Sequence, residues 1–172
     1  MTRDGPGPAL RRIRARYSAG EDRPLAGYLG ALGAYAGTVG ALGALGRVAG
    51  VKLPRRWSPG DLALLALATF KGSRTLAKAT VTSPLRAPFT RFEGPAGEDE
   101  LNESVPVSGP QHAVGELLSC PFCLDVWVGT GLTAGLVAAP RATRLALTLL
   151  TALAGADVAH LLYDSAKKLA EL

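Results

Sequence analysis

The segment LAGYLGALGAYAGTVGALGALG, residues 25–46, runs for 22 residues without a charged side chain. A helix of that length rises by about 33 Å, which is enough to cross a bilayer hydrocarbon core about 30 Å thick. The chain as a whole is 48% hydrophobic and only 19% charged, and most charges lie between the apolar stretches. These features predict a chain of membrane-spanning helices.

A second span is predicted over residues 57–81. It opens with SPGD at residues 58–61, which is typical of a helix start because it combines a capping serine, an early proline and an acid near the positive end of the helix dipole. Its apolar part is short. Crossing a membrane therefore requires Lys71 and Arg74 to extend along their aliphatic stems toward the headgroups.

The third and fourth spans are predicted over residues 121–139 and 142–163. Only Pro140 and Arg141 separate them, and so short a connection predicts an antiparallel helical hairpin. The predicted fold class is therefore all-α: an integral membrane bundle of about four helices that ends in this hairpin, with residues 24–164 as one membrane domain.

The distribution of basic residues predicts the orientation. Placing both termini in the cytoplasm puts thirteen of the 19 basic residues inside. These lie in the arm, in the central connection and in the polar tail 165–172: Arg3, Arg11, Arg12, Arg14, Arg16, Arg23, Lys71, Arg74, Lys78, Arg86, Arg91, Lys167 and Lys168. The basic arm 1–23 is expected to meet anionic lipid in addition to the bilayer itself, and no nucleic acid is expected as a partner.

Glycines recur every three or four residues along the first span. This spacing places them on one slowly drifting stripe of the helix, at positions 27, 30, 33, 37, 40, 43, 46 and 50. Small residues let two helix backbones approach closely within a bilayer. The stripe predicts self-association or contact with another membrane protein.

The central connection contains an acidic stretch, residues 92–115, with many glycines, prolines and serines. It lacks the fixed ligand pattern of a calcium-binding loop, and its composition is typical of a solvated loop. His112 falls in this region and is expected to be solvated.

The motif CPFC raises several alternatives. With Cys120 as the N-cap and Pro121 as the first helical residue, the backbone donors of the first turn point toward the Cys120 sulfur and favour its thiolate. The spacing to Cys123 is that of redox CxxC motifs. Both cysteines are expected near the reducing cytoplasmic face, which disfavours a structural disulfide.

Residues that lie at the same distance from the predicted hairpin turn on its two helices suggest a metal site. Cys120 and Cys123 fall level with Asp157 and His160, which share a face of the fourth helix, and together they form a candidate tetrahedral zinc site. Two alternatives stay open. The cysteines fill space while Asp157 pairs with Arg74 or Lys78 and His160 bonds a carbonyl, or the ionisable groups move an ion or a proton.

Four motifs in order, VTSPLRAPFTRFEG, GELLSCPFCLDVW, APRATR and DVAHLLYD, resemble the bacterial domain-of-unknown-function 1360 family. The resemblance covers roughly residues 25–164 and implies a small multi-pass protein of the bacterial cell membrane. Some members of that family carry a sporulation label, which names a process without a mechanism. Asp125 departs from the family pattern, where a small residue follows CPFCL.

The function expected from the sequence is structural or interaction-based. The alternative is a membrane thiol or metal-binding protein that uses CPFC with His160 and Asp157. No glycine-rich phosphate loop or nucleophile triad occurs, so no residue is assigned a catalytic or cofactor-binding role, and zinc is the one candidate cofactor. An enzyme is the least favoured reading.

Overall fold

The computed structural model describes residues 12–13, 16–17 and 24–170. Most of the predicted basic arm therefore lies outside the described residues. The helices are α1 Leu25–Val48, α2 Pro59–Lys78, α3 Ser83–Arg86, α4 Pro110–Ser119, α5 Pro121–Ala138 and α6 Pro140–Ala170. Strands β1 Arg91–Gly97 and β2 Glu100–Ser104 form one antiparallel pair. The all-α class is confirmed in its coarse form, with this small hairpin added to it.

Both predicted helix starts have the expected caps. Ser58 precedes α2, and its Oγ accepts a hydrogen bond from the Asp61 N–H at 3.0 Å. Cys120 precedes α5 in an extended conformation, and its Sγ accepts from the Cys123 N–H at 3.3 Å. The Ser58 cap satisfies a backbone donor of the first turn, whereas the Cys123 N–H is shared between the Cys120 sulfur and the Cys120 carbonyl oxygen, at 3.3 and 3.1 Å.

Helix α2 lies against both α5 and α6. Its buried residues are small: Ala68, Gly72, Ser73 and Ala77. Ala68 packs in a cluster with Leu136 of α5 and Leu147 of α6. Because these side chains are small, the helix backbones approach closely, as is common between helices in membranes.

The contacts define the relative direction of the helices. Asp61 of α2 contacts Arg144 of α6, and Lys71 contacts Asp157, so α2 and α6 run parallel to each other. Helices α2 and α5 are antiparallel, because Gly72 lies near Val128 whereas the earlier Thr69 lies near the later Gly129.

Helices α5 and α6 are separated by Ala139 alone. The predicted connection at Pro140 and Arg141 is therefore displaced by about one residue, because both residues belong to the first turn of α6. The two helices pack closely near this connection, because a Cβ added to Gly135 would lie only 2.7 Å from Thr143 Oγ1.

Helix α1 contacts α4 and, at fewer places, α5. Tyr35 hydrogen-bonds Thr130 Oγ1 at 2.9 Å, and its ring meets Trp127 edge-on with centroids 5.3 Å apart. Tyr28 donates to Glu116 of α4. None of the residues in Leu25–Val48 is buried. Most of the surface of α1 therefore faces away from the rest of the described chain.

The segment predicted as a solvated acidic loop differs in the structure. Most of it belongs to β1, β2 and α4, with a tight turn at Glu98 and Asp99. His112 lies in α4 with a half-buried side chain, and its Nδ1 lies 2.8 Å from the carbonyl oxygen of Val107, so it is only partly solvated. Most of β1 is exposed, so the segment differs from the prediction in its strands and helix rather than in its exposure to solvent. Composition did not reveal the antiparallel pairing or the ion pairs, described below, that attach the strands to the helices.

Helix α6 continues without a break beyond the predicted end of the fourth span at residue 163. It has 31 residues, which corresponds to a length of about 46 Å. The predicted polar tail 165–172 is therefore a helical continuation as far as Ala170, and its last two residues lie outside the described part.

Three described helices are long and apolar enough to cross a membrane, judged by length and composition: α1, α5 and α6. They correspond to three of the predicted spans, 25–46, 121–139 and 142–163. Helix α2, the predicted span 57–81, is not among them. It is long enough, but it contains Asp61, Lys71, Arg74 and Lys78.

Candidate functional site: a polar layer between three helices

A small group of polar side chains joins α2 to α5 and α6, and we call Lys71, Ser73, Asp125 and Asp157 the polar layer. Lys71 Nζ donates to Asp157 Oδ2 at 2.5 Å. The side chain of Lys71 is 20% exposed and that of Asp157 is 48% exposed, so the pair lies at the edge of the packed region. The contact connects the middle of α2 with the second half of α6.

Ser73 and Asp125 form the second half of the polar layer. Ser73 is 1% exposed, and its hydroxyl donates to Asp125 Oδ1 on the first turns of α5. Lys71 and Ser73 are two residues apart and therefore point to opposite sides of α2. One helix thus binds a carboxylate on each of its two neighbours.

Two further ion pairs extend this arrangement along α2. Arg74 makes a bidentate contact with Glu100 of β2, at 2.6 and 2.8 Å. At the opposite end of α2, Arg144 makes a bidentate contact with Asp61, with both distances 3.1 Å. Three of the four charged residues of α2 therefore have an oppositely charged partner on another element.

A more deeply buried pair anchors the hairpin. Arg86 of α3 donates from Nε to Glu103 of β2, and the two side chains are 1% and 5% exposed. The other guanidinium nitrogens of Arg86 donate to the carbonyl oxygens of Leu76 and Ala79 and to Thr82 Oγ1, at 2.7, 3.2 and 2.8 Å. One arginine thereby joins the end of α2, the turn that follows it and β2.

The predicted metal ligands are only partly brought together. Cys120 and Cys123 are free thiols with Sγ atoms 2.7 Å apart. Asp157 instead contacts Lys71, which lies one helical turn before Arg74 and two turns before Lys78, the predicted partners. His160 is exposed on α6. Within the part of the chain that the structure describes, no three His, Cys, Asp or Glu residues are grouped to hold a metal. The four-residue zinc site stays a prediction, and the closeness of the cysteines alone assigns them no redox role.

Sequence reasoning missed Ser73 and the Arg86–Glu103 pair. Asp125 had a signal, since it departs from the pattern that follows CPFCL in the resembling family, but its direction could not be inferred. Ser73 had no clear signal, because it lies between Gly72 and Arg74 in the polar part of α2. Glu103 had none, because it is one of several acids in a polar segment.

Comparison with known proteins identifies the family. A family model described as "Protein of unknown function (DUF1360)" matches residues 64–163. Sporulation protein YjcA of Bacillus subtilis (strain 168) is 35% identical over 97 residues, which cover 55% of this chain and 81% of that protein. No solved structure shows a significant match. The matched range contains the polar layer, the Arg86–Glu103 pair and both cysteines. Because the family model matches more than half of the chain, the chain belongs to the DUF1360 family.

Proposed function

We propose that this chain is a multi-pass integral protein of the bacterial membrane and acts as a structural or interaction component there. The observation that carries the proposal is the exposure of its apolar helices. Helix α1 has no buried residue, and only 11% of the most apolar window of α5 and of α6 is buried. Surfaces this apolar are stable where lipid, rather than water, surrounds them.

Helix α2 crosses the bilayer as the fourth span in this proposal. The charged residues of α2 would prevent it from crossing the bilayer as an isolated helix. In the structure, however, Asp61, Lys71 and Arg74 each contact a residue of opposite charge. Ionisable groups within membrane proteins are tolerated when they face the bundle interior and pair with one another. The pairing therefore supports an α2 that enters the bilayer together with α5 and α6.

The directions of the helices support an alternating path. Helices α2 and α6 run one way and α5 runs the other, and the contacts of α1 with α4 and α5 align it with α5. Four alternating crossings place both termini on one side. The basic residues favour the cytoplasm for that side, with the exposed Arg12 and Arg16 near anionic lipid.

The glycine stripe of α1 is proposed as the contact surface for a second copy or another membrane protein. Among the described residues, no atom lies within 4 Å of a Cβ added to Gly30, Gly33, Gly37, Gly40 or Gly43. The buried Gly72 differs, because an added Cβ there would lie 3.2 Å from Val128. The stripe is therefore open to another helix.

The relative's name refers to sporulation, which names a process and supplies no biochemical activity for this chain. We assign no catalytic residue. The proposed role is to pack against other helices within the membrane. The first experiment tests whether the chain inserts into the membrane and crosses it four times.

The test is labelling of single cysteines in a background with Cys120→Ser and Cys123→Ser. Arg55→Cys probes the connection between α1 and α2, and Glu98→Cys probes the hairpin turn. A membrane-impermeant maleimide is expected to label Arg55→Cys in intact cells and Glu98→Cys only in inverted vesicles. Labelling of both from the same side would refute four crossings, and recovery of the chain in the soluble fraction would refute insertion.

A further inference from the structure

Cys120 and Cys123 are the only two cysteines of the chain, and their Sγ atoms lie 2.7 Å apart. The contact arises from the start of α5. Cys120 is the extended N-cap, and Cys123 is in the first turn, so a step of three residues brings the two side chains together. A bond between the two sulfurs therefore needs no movement of other helices.

The two sulfurs have different surroundings. Cys120 Sγ accepts from both the N–H and the thiol of Cys123, at 3.3 and 2.7 Å. Hydrogen bonds of this kind and the positive end of a helix dipole stabilise a thiolate. Cys120 is half-buried, whereas Cys123 is exposed. The direction of these hydrogen bonds points to Cys120 as the attacking sulfur and Cys123 as the sulfur that resolves the intermediate.

We propose that Cys120 and Cys123 form a reversible dithiol–disulfide switch that exchanges with a low-molecular-weight disulfide. The Cys120 thiolate attacks one sulfur of the small disulfide, forms a mixed disulfide and releases one small thiolate. The Cys123 thiolate then attacks the Cys120 sulfur, closes the intramolecular disulfide and releases the second small thiolate. Two protein thiols are oxidised, the small disulfide is reduced by two electrons, and the two thiol protons pass to the released thiolates.

The switch goes beyond the proposed packing role and does not depend on the bilayer. Its position nevertheless places it next to the polar layer, since Asp125 follows Cys123 by two residues and accepts from Ser73. Transient disulfides in reducing compartments are typical of redox sensing and redox catalysis rather than of structural stabilisation.

The test uses the full chain in detergent, incubated with glutathione buffers of increasing oxidised fraction. After acid quenching and maleimide alkylation, intact mass spectrometry counts the remaining thiols. Because the chain has only two cysteines, we expect both maleimide additions to disappear together and to return after treatment with dithiothreitol. Retention of both thiols across the whole redox series would overturn the proposal.

The single variants test the assigned order. Cys123→Ser removes the resolving thiol, so it is expected to retain one glutathione on Cys120. Cys120→Ser is expected to retain roughly tenfold less at short incubation times, because the remaining thiol lacks the stabilising donors. Equal trapping by both variants would overturn the assignment of Cys120 as the attacking sulfur. Unchanged helical circular dichroism controls for loss of folding.

Zinc content separates the switch from a metal site. Wild-type protein purified without chelator is measured in parallel by elemental analysis. Near-stoichiometric zinc that protects both thiols from oxidised glutathione would overturn the redox proposal in favour of metal binding. A protein without bound zinc that forms the disulfide supports the switch.

Discussion

Arg86 and Glu103 form an ion pair whose side chains are 1% and 5% exposed, at the point where the hairpin meets the end of α2. Among the described residues the other acidic side chains that pair with a basic residue are more exposed, at 15% to 48%. Arg86 also donates to two carbonyl oxygens and one hydroxyl. The Arg86 guanidinium is therefore bonded to the end of α2, to the turn that follows it and to β2.

Replacing Glu103 with Gln is expected to destabilise the fold strongly. The substitution leaves the Arg86 charge buried without its counter-ion, which typically costs about 3–5 kcal/mol. The measurement is thermal unfolding in detergent, read as a fall in Tm. Glu98→Gln, on the exposed hairpin turn, is the matched control and is expected to change Tm little. An equal Tm for the two variants would show that the buried pair does not hold the hairpin.

Ser73→Ala removes the hydroxyl that donates to Asp125. Asp125 is only half-buried, so losing its donor is expected to cost about 1 kcal/mol, near the lower end of the range for an unsatisfied acceptor. Ser165→Ala is the control, because Ser165 is exposed and bonds only a carbonyl within its own helix. Thermal unfolding of both variants in the same detergent provides the comparison.

The Lys71–Asp157 contact is tested by a double-mutant cycle with Lys71→Met and Asp157→Leu. Each single variant leaves one charge at the edge of the packed region, whereas the double variant removes both. We expect the double variant to be more stable than the sum of the single effects predicts, with a coupling of about 0.5–3 kcal/mol. Additive effects would show that the two side chains do not stabilise each other.

Gly72→Ala is expected to destabilise the packing of α2 on α5. The added Cβ would lie 3.2 Å from Val128 Cγ1, so that side chain must give by a few tenths of an ångström, and we expect the resulting strain to exceed the gain of about 1 kcal/mol in helix propensity. Gly40→Ala makes the same change where no described atom lies within 4 Å. It is expected to leave the Tm of the monomer unchanged or slightly raised.

Association through α1 is tested with Gly33→Leu and Gly37→Leu combined. Two fluorescently labelled copies reconstituted at low protein-to-lipid ratio are expected to lose energy transfer, because the bulky side chains keep the two helices apart. Gly131→Leu is the control, since a Cβ added to Gly131 is also free of described neighbours but lies on α5. Energy transfer retained by the α1 variant would exclude self-association through the stripe.

Local features of the structure could be predicted from sequence because their signals are local. Ser58 and Cys120 cap their helices as expected, since a cap depends on a few adjacent residues. The three apolar helices were also predictable from uninterrupted hydrophobic runs, and the combination of four motifs correctly indicated the family.

Long-range pairings could not be predicted with the same accuracy. The partner of Asp157 depends on how far α2 is shifted along α6, and a shift of one helical turn exchanges Lys71 for a neighbouring basic residue. Glu103 was not distinguishable from other acids in its segment, because only a partner seventeen residues earlier, Arg86, determines that it is buried. Composition contains no information on such a partner.

The continuous course of α6 to Ala170 has a mechanical consequence. In the proposed topology about 20 of its 31 residues cross the hydrocarbon core, which leaves about ten to extend roughly 15 Å into the cytoplasm. A domain fused after this extension would be carried on a stiff lever rather than a flexible tether. Adding or deleting a single residue within the lever would rotate the attached domain by about 100° around the helix axis.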